Sequence, residues 1–214
     1  MKNPRIAVLL SGSGRTLQNF LDRIVAAAMP GRVVDVIASH SRAFGLERAR
    51  RAGLPHAVID PRAGGPPGAF RERLHGRLRD QGVDLVLLAG YLVRFPMSPE
   101  WAGRVMNIHP ALLPGVGGQG FYGLRVHEAV LASGAAESGC TVHFVDDHYD
   151  HGPIILQRRV PVHPDDTPES LAARVFAEEL AAYPEAVRLF AEGRLRLVGD
   201  RVVIVPAPPL EPET

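Results

Sequence analysis

The sequence predicts a single α/β domain built on a mostly parallel, twisted sheet with helices on both faces. Short apolar runs alternate with amphipathic stretches from Arg5 to Leu88, the pattern of parallel strands joined by helical crossovers. A length of 214 residues suits one large domain with a substantial core. Hydrophobic residues make up 46% and charged residues 22%, with a formal net charge of +1, which describes a globular interior under an evenly balanced surface.

Arg5 to Leu10 is the uninterrupted apolar run of a buried parallel strand, ending in the tight turn Ser11-Gly12-Ser13-Gly14. From Arg15 to Ala28, apolar Leu17, Phe20, Leu21, Ile24 and Val25 recur at helical spacing. Val33 to Ala38 reads as the second strand, and Phe44 to Ala52 as the second helix, closed by Gly53. His56 to Ile59 is a short third strand, residues 60–68 a Pro- and Gly-broken loop, Ala69 to Gln81 the third helix and Asp84 to Leu88 the fourth strand. This half is Rossmann-like.

The second half is less regular. Arg104 to Ile108 is a strand, followed by a Gly/Pro-rich loop from Pro110 to Gly123 and a helix from Leu124 to Ser133. Gly139 to Val145 and Pro153 to Val162 are strands. Pro168 to Ala191 is a long helix with Thr167 as N-cap and Pro168 at its first position. Arg194 to Val205 reads as a hairpin about Gly199-Asp200. The domain is therefore expected over residues 1–205, with 206–214 a loose, proline-rich tail.

Residue counts remove whole chemistries. Cys140 is the one cysteine, so an intrachain disulfide, a cysteine-built zinc site and an iron–sulfur cluster have no ligands. Lys2 is the sole lysine, which leaves Schiff-base chemistry and a P-loop lysine without a carrier. No apolar run is long enough for a membrane span, and Met1 to Arg5 runs into a strand without a signal-peptide pattern, so a cytoplasmic protein is expected. The balanced charge and a lone Trp101 argue against nucleic-acid binding.

Three clusters carry chemistry. Ser11 to Thr16 joins a strand end to a helix start, where free backbone N–H groups and the helix dipole favour an anion such as a phosphate; the plain alternative is a tight turn without a ligand. A dinucleotide is poorly supported, because Leu17 stands where a third glycine belongs and the nearest acid, Asp35, lies within a strand. Asn107 and His109 leave a strand on one side, an amide donor beside a titratable imidazole, as acyl transfer needs; equally, such a histidine can simply bond a carbonyl. Asp146 to Pro153 holds three carboxylates and two histidines in a loop without a recognisable metal-ligand spacing, so no metal is expected. One of its acids beside His109 would raise the imidazole pKa. His143 reads as a core histidine, and Cys140 as buried and inert.

In this order the clusters closely resemble the folate-dependent phosphoribosylglycinamide formyltransferases. The matching stretches are Ser11-Gly12-Ser13-Gly14 with Leu17-Gln18, Phe44-Gly45-Leu46-Glu47-Arg48-Ala49, Leu88-Ala89-Gly90-Tyr91, Asn107-Ile108-His109-Pro110 with Leu112-Leu113-Pro114, and Asp150 with Gly152-Pro153. The resemblance implies formyl transfer from 10-formyltetrahydrofolate to the glycine amine of phosphoribosylglycinamide, with small molecules as partners, in a monomer or homodimer. It implies a catalytic trio of Asn107, protonated His109 and Asp150. Gly14, Arg15 and Thr16 would take the substrate phosphate and Glu179 its ribose. The pterin would lie against Leu92, Val93, Arg94 and Phe95 and the loop with Asp146 and Asp147. Neither metal nor nicotinamide is implied. Two departures stand out: the segment Gly115 to Arg125 is longer than in many relatives and is expected to form a lid, and a folate-contacting arginine is replaced near Pro67, with Arg62 or Arg71 as substitutes.

Overall fold

Uninterrupted apolar runs become strands buried on both faces, and the amphipathic stretches between them become the helices that cover those faces. The computed structural model describes residues 3–207. Strands β1 (Arg5–Leu10), β2 (Arg32–Ala38), β3 (His56–Val58), β4 (Leu85–Leu88), β5 (Val105–His109), β6 (Glu137–Phe144) and β7 (Ile154–Pro161) form one sheet in the order β3-β2-β1-β4-β5-β6-β7. The first five run parallel; β6 is antiparallel to both of its neighbours. A separate hairpin, β8 (Leu195–Val198) and β9 (Arg201–Ile204), turns at Gly199-Asp200 as expected.

Helices α1 (Arg15–Val25), α2 (Gly45–Arg51), α4 (Leu124–Ala132) and α5 (Pro168–Ala191) supply buried residues to one core with Val8, Leu87 and Met106. Helix α3 (Ala69–Asp80) and a 3-10 turn at Pro99–Trp101 cover the other face through Leu74, Leu78 and Trp101. Helix α1 stops three residues before the periodicity does. Ala27 turns left-handed (φ 54°), and the N–H groups of Ala27 and Ala28 return to the carbonyls of Ile24 and Arg23, an end usually given to glycine. Helix α5 matches its predicted bounds, with Thr167 accepting from the Ser170 N–H and Ser170 reaching back to the Thr167 N–H.

Inside α5, Pro184 has no N–H for the carbonyl of Leu180. Asn19 of α1 donates its side-chain amide there instead, at 3.0 Å. The next residue back, Tyr183, is fully buried and its hydroxyl lies 2.8 Å from the Met106 carbonyl and 3.2 Å from that of Leu88. Asp35, the acid inside β2, is fully buried and gripped by both arms of the Arg77 guanidinium at 2.6 and 2.7 Å. It is a structural anion, closed to any ribose. Among the described residues no helix is long and apolar enough to cross a membrane. The expected tail falls outside the described residues from 208 onward.

Candidate active site

Strand order reverses between β1 and β4, and ligands of such sheets gather beyond the strand ends at that point. A cleft of about 700 Å³ opens there, over the carboxyl ends of β1, β4 and β5, within the size range of small-molecule sites. Its walls include Gly14, Arg15, Thr16 and Glu179 at one end and Leu92, Val93, Arg94, Phe95 and Asp146 at another. Asn107, His109 and Asp150 line the same cleft.

The first wall is built by backbone. Gly14 precedes α1 with φ 70°, and a β-carbon there would stand 2.7 Å from the Gly45 Cα. No acid occupies the first turn of α1, so its unpaired N–H groups face the cleft with their partial positive charge intact. Arg15 lies over the Phe176 ring at 3.9 Å. Across from it, burial pushes the Glu179 carboxyl up to about 7, against the pull of Arg15.

The central trio is assembled from three segments. Asn107 and His109 emerge on one side of β5, and the antiparallel partner of Asn107 is His143. The Asn107 amide donates to Asp150 Oδ1 at 3.3 Å and to His143 Nε2 at 3.2 Å, while His143 Nδ1 donates to the Phe144 carbonyl at 2.8 Å. His109 Nδ1 stands 3.4 Å from Asp150 Oδ2, and its Nε2 donates to the Val116 carbonyl at 2.7 Å. The Gly118 N–H donates to Asp150 Oδ2 at 2.9 Å. Asp150 itself has φ 52°, a left-handed backbone uncommon for a residue with a side chain. Two residues on, the Gly152 backbone passes so near Phe144 that a β-carbon would overlap its carbonyl at 2.0 Å, so glycine is required there.

Burial opposes the charge on Asp150, yet the His143 and His109 rings and the Gly118 N–H outweigh it and hold its pKa below the usual carboxylate value. For His109 the balance falls the other way. Burial lowers its pKa more than the Asp150 charge and the Val116 carbonyl raise it. The sequence expectation of a raised His109 pKa is thus corrected: Asp150 is where it was expected, but His109 is only 3% exposed, and desolvation wins.

Other expectations divide. Asp147 does not line the cleft; it lies on the outer side of the loop, in a groove with Met97 and Leu197, and its carbonyl accepts from Arg94 at 3.2 Å. Arg62 is occupied by Asp60 and Arg71 lies beside Glu72, and neither lines the cleft; Arg94 is the arginine at the Leu92–Phe95 wall. The long loop lines the cleft through Gly118 to Gly123 and Arg125, which lies 5.2 Å from the Tyr122 ring centre. Two contributors lie beyond any local pattern. His143 is buried within β6 as the sequence predicts, and only the β5–β6 register brings it to Asn107. Ser11 Oγ accepts from the Leu92 N–H at 2.9 Å and from Ser39 Oγ at 2.7 Å, tying the first turn to the second wall; no local pattern signals that contact.

The formyl transferase family model matches residues 4–187. A chloroplastic phosphoribosylglycinamide formyltransferase of Vigna unguiculata is 40% identical over 207 residues, which is 96% of this chain and 66% of that protein. The chain thus spans just under two thirds of that relative. The crystal structure of glycinamide ribonucleotide transformylase 1 from Symbiobacterium toebii is 48% identical with a TM-score of 0.86, covering 95% of this chain and 94% of that one. A formyltetrahydrofolate deformylase from Burkholderia mallei is 29% identical with a TM-score of 0.81, covering 95% of this chain but 70% of its own.

Proposed function

The chain belongs to the formyl transferase family, and from that premise we propose that it transfers a formyl group from 10-formyltetrahydrofolate to the glycine amine of phosphoribosylglycinamide, a step of purine biosynthesis. The observation that carries this reading is one cleft with an anion cradle at Gly14, Arg15 and Thr16 and the Asn107–His109–Asp150 trio beyond it.

In this reading the phosphate sits at the start of α1, and Glu179 accepts from the ribose hydroxyls. The pterin lies along Leu92, Val93, Arg94, Phe95 and Asp146. The amine attacks the formyl carbon, and the carbonyl oxygen becomes an oxyanion. Asn107 Nδ2 and the His109 Nε2–H donate to it, the latter after the oxygen displaces the Val116 carbonyl. The amine's proton passes to the His109–Asp150 pair, which its ionised carboxylate equips to take it, and then to the departing N10 of the folate, as the N10–formyl bond breaks. No step uses a metal. A nicotinamide dinucleotide is disfavoured by the residues themselves, since Leu17 is a buried core residue and Arg77 occupies Asp35. We place the enzyme in the cytoplasm, acting on small molecules as a monomer or homodimer.

The deformylase neighbour supports a second reading, formyl-folate hydrolysis by the same trio. The Symbiobacterium toebii transformylase is nearer in sequence than that neighbour, 48% against 29% identical, which favours the transferase. Spectroscopic release of tetrahydrofolate decides: release dependent on phosphoribosylglycinamide supports transfer, and equal release without it supports hydrolysis.

A further inference from the structure

We infer that the loop joining β6 to β7 carries a binding site for a divalent transition-metal ion, made by Asp146, His148 and His151 at the mouth of the cleft. One ligand atom from each of the three lies within 4.8 Å of the others. The two imidazole rings are 5.3 Å apart, and His151 Nδ1 is 2.7 Å from Asp146 Oδ2. His151 is 72% exposed, so no core packing drives this convergence.

The backbone favours closure of the site. The Phe144 N–H bonds the Pro153 carbonyl at 2.9 Å, clamping the loop at its base, and the Asp146 side chain also accepts from the His148 N–H at 2.8 Å. Three ligands within six residues of one clamped loop cost little chain entropy to gather. Two imidazoles and one carboxylate select zinc or its neighbours in the transition series. Magnesium and calcium demand more oxygen ligands than these three side chains offer. On binding, the ion replaces the proton that His151 shares with Asp146, and that proton leaves to solvent.

Three protein ligands leave a coordination position open. Asp146 and His148 both line the cleft, so the bound ion stands at its rim. Asp150 lies between His148 and His151 in the chain, and the ion would stiffen the segment that aims it. This last consequence rests on the proposed function; the site does not.

Titration calorimetry of the metal-free, full-length chain with zinc chloride tests the site, with cobalt(II) visible absorption as a coordination signature. One ion per chain is expected, a raised melting transition with zinc, and no saturable heat with magnesium. His148→Ala and His151→Ala should each weaken zinc binding by about ten-fold or more and remove the intense cobalt bands. Absence of saturable zinc binding to the parent overturns the inference, as does undiminished binding to both variants. Failure of formyl transfer in the metal-free protein bears on the proposed function alone, because the calorimetry reads binding.

Discussion

Asp35 and Asp150 are both acids withdrawn from water, and they are put to opposite uses. Asp35 sits in the parallel half of the sheet, fully buried, with both oxygens engaged by Arg77. A carboxylate so enclosed meets no ligand; it fastens α3 to β2. Asp150 sits beyond the antiparallel half, with an amide, two imidazoles and a backbone N–H around it. None of these carries a permanent charge, so the group stays ionised without being silenced. A guanidinium partner makes an acid structural, whereas imidazole partners keep it available for proton traffic.

The sharpest test of that contrast is His109→Ala. On the proposed reading it lowers the formyl-transfer rate by about 10²–10⁴-fold, while the melting transition stays near that of the parent; comparable turnover in both proteins would break the contrast. Arg77→Ala should do the reverse. It strands a buried carboxylate at a cost of about 3–5 kcal/mol, read by urea denaturation, and the folded fraction should keep its turnover. Asp150→Asn removes the charge that raises the His109 pKa, so the ring should titrate lower still by NMR; an unmoved titration would dissolve the pairing.

A milder effect concerns Glu179. With its pKa at about 7, it is protonated as pH falls below 7 and loses its acceptor character, so KM for the ribonucleotide should rise between neutral pH and pH 6. Glu179→Gln should have a raised KM at neutral pH and a flatter KM profile than the parent, which separates this effect from the phosphate's own titration. The smallest change expected is a gain. Ala27→Gly relieves a left-handed alanine at the end of α1 and should stabilise the fold by about 0.5–1 kcal/mol, seen as a higher urea midpoint.

The parallel half was legible in the sequence because its information is local. Apolar runs five or six residues long, a Gly-rich turn and helical spacing are properties of neighbouring residues, and the element order follows from their alternation. Thr167 and Pro168 marked the start of α5 for the same reason. The trio was legible as residue types, and the family resemblance joined them. What stayed hidden depends on register between distant segments. His143 faces Asn107 only because β6 pairs with β5 in one of several possible alignments. The Asp35–Arg77 pair spans two elements, and the burial that lowers the His109 pKa arises only once the long loop covers the ring. The gathering of Asp146, His148 and His151 depends on the folded course of their loop, which no spacing rule encodes.

The proline within α5 has a reach beyond its own helix. By withholding an N–H it leaves the Leu180 carbonyl free for Asn19, one residue beyond Glu179 on one chain segment and one turn past Arg15 and Thr16 on the other. The two helices that would face opposite ends of a ribose phosphate are thereby latched to each other through a defect in one of them. Pro184→Ala would restore an ordinary helical donor, let the latch slip, and allow the distance between the start of α1 and Glu179 to wander; on the proposed reading the irregular residue would act as a ruler for the substrate.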